Sequence, residues 1–344
     1  MVEDSVAPGS ARPRQLILTV TRACDLRCSY CPTVKDGFPS LSIDDAVRAL
    51  HLFADRYAGP HGGDVKLFGG EPLLAPDVVH AVLEEAERLD AVRRIYLSTN
   101  GRALDARLLG RIAESDKTIL TISLDGRPDD HRKYRRGPES YDTVVALRGT
   151  LAGMPRVVVT QTIPPAAAVH ADANFAHLLG LGFRRFNFLP GYFLAWSDLQ
   201  LRALRAGFGR VAVRVRGEWA EGRPLYVRNL FTWAPTPFFN EGLIVDSDGT
   251  IHPSNVGLAG SFDDLRGRTA VGTLDDPPSV EALAAAAERT RALLEATTPP
   301  KILASTRAAD AELTRFVRGL LPSWAARRRA RRARPAPADG TPAP

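Results

Sequence analysis

The sequence predicts an α/β fold made of six parallel βα units, and two observations lead to this prediction. Six short apolar runs rich in β-branched residues recur over the first 190 positions, each too short for a helix and bounded by polar or turn residues. Amphipathic helical patterns fill the intervals, and successive runs are about 30 residues apart, the size of one βα unit. Right-handed crossovers would join these units into an open sheet or an incomplete barrel, and the pattern alone leaves both shapes open.

The predicted elements alternate in chain order. The first helical pattern is the best marked, because Ser42 and Asp45 are placed like a capping box while Ile43, Ala46 and Leu50 share one face. The strand runs cover 15–20, 64–68, 94–98, 118–122, 156–160 and 185–189. The helical patterns cover 43–57, 77–89, 103–113, 140–151, 173–181 and 198–217, with two more at 280–296 and 308–321.

Composition places the chain among ordinary soluble globular proteins. Of its 344 residues, 44% are hydrophobic and 24% are charged, and no apolar run approaches the ~20 residues of a membrane span. Residues 1–14 are polar and lack the apolar core of a secretory signal, so we expect a flexible N-terminus and a cytoplasmic protein. The length suits a large α/β unit with an appendage.

The charge distribution argues against a nucleic-acid surface on the folded body. The net charge is +6, and the segment 327–334 alone carries six arginines, so the rest of the chain is nearly neutral. This arginine run borders the proline- and alanine-rich residues 335–344, which we expect to be disordered. The run is either a solvated helix end or an electrostatic dock for an acidic peptide or carrier.

All three cysteines of the chain, Cys24, Cys28 and Cys31, lie in one segment directly after the first predicted strand. Their spacing is C-x3-C-x2-C, and three thiolates on one short loop can hold three irons of a [4Fe–4S] cluster, leaving the fourth iron without a protein ligand. The odd number and tight spacing argue against disulfides and indicate a reducing compartment. A zinc site is the alternative, although the nearest histidines, His51 and His61, are well downstream.

Polar and glycine-containing segments follow the next three strands, at the positions where functional groups gather in parallel βα folds. Residues 69–72 read Gly-Gly-Glu-Pro, residues 98–101 read Ser-Thr-Asn-Gly, and residues 123–126 read Ser-Leu-Asp-Gly, with Tyr134 and Arg135 a short distance on. Each segment alone also fits an ordinary turn. Their order along the chain indicates one site at the strand ends.

Over residues 15 to about 190, the chain resembles the radical S-adenosylmethionine (SAM) superfamily through the cysteine loop and these strand-end segments. The resemblance implies a partial (β/α)6 TIM-like barrel with one [4Fe–4S] cluster on Cys24, Cys28 and Cys31. It also implies SAM on the unique iron, its adenine against the backbone of Tyr30, cleaved to methionine and a 5′-deoxyadenosyl radical. A reduced flavodoxin- or ferredoxin-type protein would supply the electron.

The same resemblance implies which residues surround SAM. Glu71 would accept hydrogen bonds from the SAM ammonium, and Ser98 and Asn100 would contact the ribose or adenosyl group. Ser123 and Arg135 would hold the SAM carboxylate, a task suited to a guanidinium. The complete set of expected cofactor-binding residues is Tyr30, Gly69, Gly70, Glu71, Ser98, Asn100, Ser123, Asp125 and Arg135.

Beyond the sixth strand, residues 238–254 and 271–274 predict a hairpin with a Ser-Asp-Gly turn and a further glycine-containing strand. This part resembles the SPASM or twitch appendage of the sulfatase-maturase and peptide-maturase subgroup. That subgroup has a cluster-binding cysteine after the proline, where this chain has Ser254, and no cysteine follows Cys31. We therefore expect a degenerate appendage that caps the substrate cavity and holds no auxiliary cluster.

The leading hypothesis is a radical SAM enzyme that abstracts hydrogen from a peptide or a natural-product intermediate. A small molecule such as a sugar, nucleoside or amino acid is the second substrate class, and a non-catalytic iron–sulfur or zinc protein is the third hypothesis. The predicted organisation is a flexible N-terminus at 1–14, a core at 15–230, the appendage at 231–300, a helical segment with the arginine run at 301–334 and a disordered tail at 335–344.

The lack of an auxiliary cluster favours redox-neutral outcomes such as epimerisation, rearrangement or elimination. No catalytic residue is assigned; Tyr192 and Tyr226 are candidate hydrogen donors, and nothing in the sequence favours one of them. The aromatic segment 190–196 lies where a substrate could reach the barrel mouth, or else packs the barrel against the next helix.

Overall fold

The structure is a computed structural model that describes residues 15–137, 139–232, 241–255 and 259–333. The predictions of a flexible segment at 1–14 and a disordered tail at 335–344 lie outside the described residues, as does the start of the predicted hairpin at 238–240. The strands form one ten-stranded sheet, and the helices pack against it.

Six parallel strands form the centre of the sheet and follow one another in the order of the sequence. Each predicted strand run overlaps one of them, so the parallel βα architecture is confirmed, and the sheet has the partial-barrel form of the radical SAM type. The strands are β1 (Gln15–Thr21), β2 (Gly63–Gly69), β3 (Val92–Thr99), β4 (Thr118–Ser123), β5 (Val157–Ile163) and β6 (Arg185–Pro190).

Four further strands extend the sheet at its two edges. At one edge, β7 (Tyr226–Val227) pairs in parallel with β6. At the other, β8 (Glu241–Val245) pairs in parallel with β1, and β9 (Thr250–Ser254) returns antiparallel beside it, followed by β10 (Gly272–Thr273). The hairpin predicted for the appendage therefore continues the sheet of the core.

Eleven α-helices connect or follow the strands in the described part of the chain. None of them combines the length and apolar character needed to cross a bilayer. They are α1 (Ile43–Leu52), α2 (Pro76–Arg88), α3 (Ala106–Glu114), α4 (Pro128–Arg135), α5 (Ser140–Ala146), α6 (Arg148–Gly153), α7 (Ala171–Gly180), α8 (Asp198–Ala220), α9 (Arg266–Thr269), α10 (Val280–Thr297) and α11 (Pro300–Ala333).

Three helices differ from their predictions. The Ser42 hydroxyl caps α1 as expected by accepting from Asp45 N at 3.0 Å, but Ile43 is 44% exposed instead of lying on the buried face. The pattern at 140–151 divides into α5 and α6 at Leu147. The last helix is longer than predicted at both ends: α11 begins at Pro300 and continues through Pro322 to Ala333, and Trp324 in this extension packs against Phe231.

The two faces of the sheet have opposite character. One set of alternating side chains is apolar and packs against the helices, whereas the other set lines the concave interior and is largely polar. The helix-facing set includes Leu16, Leu18, Val65, Leu67, Ile95, Leu97, Leu120, Ile122, Val157, Val159, Phe186 and Phe188. The interior set includes Lys66, Phe68, Tyr96, Ser98, Thr121, Ser123, Thr160, Thr162, Arg185 and Asn187.

Candidate active site at the carboxyl ends of the strands

The cysteine loop leaves the carboxyl end of β1 and lies against the ends of its neighbours. Its three thiols, on Cys24, Cys28 and Cys31, are free and half-buried. Within the loop, Cys31 N donates to Cys28 O at 3.1 Å, and the Sγ of Cys24 accepts from Leu26 N at 3.4 Å. Ser29 N donates to the carbonyl of Tyr134 at 2.7 Å, which ties the loop to the end of α4.

The donor set fits an iron–sulfur cluster better than a single metal ion. Among the described residues, no group of three or more Cys, His, Asp or Glu side chains is placed to hold a single metal ion, and this includes the three thiols. A [4Fe–4S] cluster instead takes one thiolate on each of three irons, and three half-buried thiols on one loop suit it. Burial raises the pKa of Cys24 and Cys28, so cluster binding must displace their protons.

Gly69 and Gly70 allow a close backbone contact within the protein, and their expected approach to a ligand stays a prediction. A Cβ on Gly69 would lie 2.1 Å from the carbonyl oxygen of Thr21, and the backbone there has a φ of +136°. A Cβ on Gly70 would lie 2.2 Å from the carbonyl oxygens of Arg22 and Ala23. The end of β2 therefore presses directly against the base of the cysteine loop.

Glu71 is an internal tie between strand ends. Its buried carboxylate accepts from Leu73 N at 3.1 Å, from Thr99 Oγ1 at 2.7 Å and from Asn100 N at 2.7 Å. Burial raises the pKa of Glu71, and these three donors oppose the rise. The expected contact with the SAM ammonium would have to compete with these three hydrogen bonds, two of which join the end of β2 to the end of β3.

Asn100 binds the cysteine loop. Its Nδ2 donates to Asp25 Oδ1 at 2.6 Å, and its Oδ1 accepts from Arg102 N at 2.9 Å. Arg102 in turn forms an ion pair with Asp25 at 2.6 Å. Sequence reasoning missed Asp25 and Arg102, although both lie within two residues of a motif position. Ser98 and Ser123 are half-buried on the interior face, the side open to a ligand.

Arg135, the residue predicted to hold the SAM carboxylate, forms a buried ion pair with Asp125. Its Nε and Nη2 donate to the two carboxylate oxygens of Asp125 at 3.1 and 2.8 Å, and both side chains are buried. Asp125 also accepts from Tyr30 Oη at 2.6 Å and from Thr162 N at 3.1 Å. The guanidinium expected to hold the SAM carboxylate is thus neutralised within the protein, and the Tyr30 side chain anchors the cysteine loop.

His131, a further residue of α4, supports this ion pair. Its Nδ1 accepts from Asp125 N at 3.3 Å, and its Nε2 lies 2.9 Å from Ser140 Oγ. Burial, together with the nearby charge of Arg135, lowers the pKa of His131 to about 4. The imidazole is therefore neutral at physiological pH and holds the turn that carries Asp125.

The barrel interior contains a set of cations that the sequence analysis did not single out. We call Lys66, Arg185 and Arg228, with Tyr96 and Tyr226, the interior basic cluster. Arg228 Cζ lies 4.3 Å from the ring centroid of Tyr96, and Arg185 Cζ lies 4.2 Å from that of Tyr226. Burial and the nearby charge of Arg228 lower the pKa of Lys66 to about 8. Charged residues at strand positions that alternate with apolar ones were the available signal.

The aromatic segment after β6 packs against the C-terminal helix, the second of its two interpretations. Tyr192 Oη donates to Asp310 Oδ1 at 3.1 Å, and Phe193 N donates to Thr306 Oγ1 at 3.0 Å. Of the two tyrosines named as candidate hydrogen donors, only Tyr226 therefore lies in the interior basic cluster. Its burial raises the pKa of Tyr226, which keeps the phenol protonated.

Comparison with known proteins agrees with this site and fold. Residues 18–161 match the model of the radical SAM superfamily. Human molybdenum cofactor biosynthesis protein 1 is 35% identical over 117 residues, which are 32% of this chain and 17% of that protein. The GTP 3′,8-cyclase of Lactiplantibacillus plantarum is 35% identical over 127 residues, 35% of this chain and 36% of the cyclase.

Solved structures share the fold at low sequence identity. Native anSMEcpe with bound AdoMet and Cp18Cys peptide superposes with a TM-score of 0.71 at 12% identity, covering 92% of this chain and 99% of that one. Streptococcus suis SuiB bound to S-adenosylmethionine gives a TM-score of 0.58 at 15% identity, covering 77% of this chain and 64% of that one.

Residues 18–161, which include the cysteine loop and the ends of the first four strands, are thus similar to the radical SAM superfamily, and the fold is shared with structures that hold AdoMet. The two kinds of comparison point to different relatives. The chain spans 17% of the human molybdenum cofactor biosynthesis protein and 36% of the GTP 3′,8-cyclase. Its likeness to the peptide-bound anSMEcpe structure is one of fold alone.

Proposed function

We propose that this protein reductively cleaves SAM at one [4Fe–4S] cluster held by Cys24, Cys28 and Cys31, and that the product radical acts on an anionic small molecule inside the barrel. The observation that carries the proposal is a loop with three free thiols at the strand ends, above an interior lined by half-buried cations. When bound, the cluster supplies the electron that splits SAM into methionine and the 5′-deoxyadenosyl radical. An external protein reductant would reduce it.

The chain's own residues hold and orient this machinery. Glu71 ties β2 to β3, and the Tyr30–Asp125–Arg135 set ties the cysteine loop to β4 and α4. Their part is positioning, because their polar atoms are engaged inside the protein. Ser98 and Ser123 are the strand-end side chains that face the interior, and we propose them as contacts of SAM.

The substrate class follows from the charge of the interior. Three cations and two phenols face one another across the barrel, and Asp64 is the acidic group that acts on Lys66. Arg185 Nε is buried and has no hydrogen-bond partner among the described residues. Like charges at half-buried positions repel one another unless an anion compensates them, so the interior basic cluster favours a ligand bearing phosphate or another polyanionic group.

The depth of the interior basic cluster in the barrel limits the length of such a ligand. Lys66 precedes Gly69 by three residues on β2, so its Cα lies about 10 Å below the strand end. A molecule whose anionic group binds the interior basic cluster would extend to the level of the cysteine loop with atoms about 10 Å from that group. GTP, named in the cyclases that this chain resembles, is a molecule of this length and charge.

The peptide hypothesis is the competing proposal. It is supported by a likeness in fold to anSMEcpe, whose structure contains a peptide, and by the resemblance of the hairpin region to the SPASM or twitch appendage. A peptide needs no group of half-buried cations deep in the barrel. We therefore favour the anionic small molecule and let the binding experiment below decide between them.

The cleavage proposal is tested by anaerobic reconstitution with iron and sulfide, followed by incubation with SAM and dithionite. Wild-type protein should form 5′-deoxyadenosine, and Cys28→Ala should not. A wild-type protein that assembles the cluster and binds SAM but forms no 5′-deoxyadenosine would contradict the proposed activity.

The substrate-class proposal is tested by calorimetric titration with GTP and with inorganic triphosphate. Binding should weaken about tenfold in Lys66→Met and Arg228→Met, since each charge-assisted contact is worth ~1.5–3 kcal/mol. Arg205→Met is the matched control, because Arg205 pairs with Glu312 on the outer helices. Equal binding by all four proteins, or none by the wild type, would refute the anionic class and leave the peptide hypothesis.

A further inference from the structure

A buried ion pair joins the base of the cysteine loop to the β8–β9 hairpin. Arg22, two residues before Cys24, is fully buried, and its Nε donates to Asp246 Oδ1 at 3.1 Å. Its Nη2 donates to the other oxygen of the same carboxylate. Arg266 of α9 also donates to Asp246 Oδ2, at 3.2 Å from Nη2. One carboxylate of the hairpin thus holds two guanidinium groups, one of them at the start of the cysteine loop.

The other end of the cysteine loop lies on the same part of the chain. Phe38, which follows the cysteines, lies between the two guanidinium groups, 3.8 Å from Arg22 Cζ and 5.0 Å from Arg266 Cζ. Directly after Cys31, the carbonyl of Pro32 accepts from Gly260 N at 2.8 Å. Thr33 forms a β-bridge with Ala259. Both flanks of the loop are therefore held by residues 246–266.

The polarity of this contact exceeds what packing alone requires. Around the ion pair, Arg22 Nη1, Ser247 Oγ and His252 Nε2 are buried without a hydrogen-bond partner among the described residues. Apolar side chains of similar volume commonly stabilise a protein as well as a buried ion pair does, but they do not fix one geometry. Directional contacts lie at both flanks of the cysteine loop. We infer that these contacts determine the conformation of the loop.

We propose that Asp246 and Arg266 are positioning residues that hold the cysteine loop in the conformation that accepts the cluster. This inference rests on the cluster-binding role of the loop proposed above. The resembling appendages hold an auxiliary cluster at the hairpin, and here the hairpin acts on the primary cluster loop through an ion pair. Asp246 directly follows β8, and Ser254 is the last residue of β9, the strand that pairs with β8. Ser254 stands where the resembling appendages have a cysteine.

The first test uses the cluster-free protein and measures the alkylation rate of each cysteine by iodoacetamide with mass spectrometry. Asp246→Asn should raise the rates at Cys24, Cys28 and Cys31 by about tenfold, because the loop then opens more often. Glu312→Gln is the matched control, since it breaks another bidentate pair with an arginine and a nearly buried carboxylate, between α8 and α11. Its rates should equal those of the wild type.

A second variant covers the case in which Asp246→Asn fails to fold. Arg266→Gln removes a half-buried partner and leaves the Arg22–Asp246 pair intact, so the same rates should rise by a smaller factor. The reconstituted variants should also show altered electron paramagnetic resonance of the reduced cluster, a signature that a loss of global stability does not produce.

Two outcomes would overturn the inference. Folded Asp246→Asn and Arg266→Gln with wild-type alkylation rates and wild-type spectra would mean that the ion pair does not act on the loop. A rise of the same size in Glu312→Gln would mean that the effect is one of general stability. Because alkylation is measured without cluster, SAM or substrate, its result is separate from the outcome of the cleavage and binding experiments.

Discussion

Asp125 and Arg135 form a buried ion pair beside the cysteine loop, and their predicted contact with SAM stays a prediction. An exposed arginine at a strand end is well suited to a carboxylate ligand, but Arg135 is buried and already bound by a carboxylate of the protein. Asp125 receives four donors, from Tyr30, Thr162 and both nitrogens of Arg135. We conclude that this pair fixes the cysteine loop relative to β4.

Asp125→Asn should therefore destabilise the whole domain. The substitution leaves the Arg135 guanidinium buried without its counter-charge, and breaking a buried pair in this way costs about 3–5 kcal/mol. Urea denaturation followed by circular dichroism measures the free energy of unfolding. Asp142→Asn is the control, because its pair with Arg132 is exposed and should contribute at most about 1 kcal/mol. Equal losses in the two variants would contradict the structural role of Asp125.

His131 gives a prediction for pH. Its pKa is about 4 in the folded protein and about 6.5 in the unfolded chain, so the unfolded state binds more protons between these values. Stability should be complete above pH 6.5 and should fall as the pH is lowered toward 4, with a loss from this group of about 2 kcal/mol at pH 5.

The measurement compares urea denaturation at pH 7.5 and pH 5. In His131→Gln the difference between the two pH values should shrink by about that amount, because no imidazole remains to be protonated at this site. His61→Gln, at an exposed position, should leave the difference unchanged. An unaltered pH dependence in His131→Gln would show that other groups, such as the buried His252, account for it.

At the scale of elements, the contact between the end of β2 and the cysteine loop is the tightest feature of the site. The amide of Gly70 donates to Thr21 O at 2.8 Å, and that of Glu71 donates to Ala23 O at 2.8 Å. The loop is thus bound by backbone hydrogen bonds to the adjacent strand end, and the absence of a Cβ at Gly69 and Gly70 makes this close approach possible.

Gly70→Ala should displace the cysteine loop. Its Cβ would meet two carbonyl oxygens at 2.2 Å, and a backbone cannot give way there as a flexible side chain could. We expect overpacking to cost about 1–3 kcal/mol and the bound iron after reconstitution to fall with it. Gly149→Ala, in α6 with open space around it, should keep full iron content and the wild-type melting temperature or a higher one. Normal iron in Gly70→Ala would contradict this account of the loop.

At the scale of the whole molecule, the hairpin is part of the ten-stranded sheet and contacts the core through β1. The division of the chain at 230 and 300 stays a prediction, since strands on both sides of the first boundary belong to one sheet. The sequence has no cysteine after Cys31, so the hairpin contains no thiolate that could bind a second iron–sulfur cluster.

Reconstituted protein should therefore contain about four irons and four sulfides per chain, the content of one [4Fe–4S] cluster. Cys24→Ala should reduce both and remove the absorbance near ~400 nm, because one of three thiolates is lost. Asp246 and His252 of the hairpin are poor ligands for iron–sulfur chemistry. Iron and sulfide analysis that yields about eight of each would contradict the single-cluster proposal.

The sequence by itself indicated the parallel βα architecture, the approximate strand runs and the cysteine loop, because these depend on local patterns: short apolar runs between helical patterns, capping at Ser42 and the spacing of three thiols. The tertiary structure decided the roles of the polar residues at the strand ends. Arg22 and Asp246 are 224 positions apart, and their pairing arises only when β8 joins β1. The interior basic cluster likewise brings β2, β6 and the end of β7 together, and no local pattern encodes which strands face one another across a barrel.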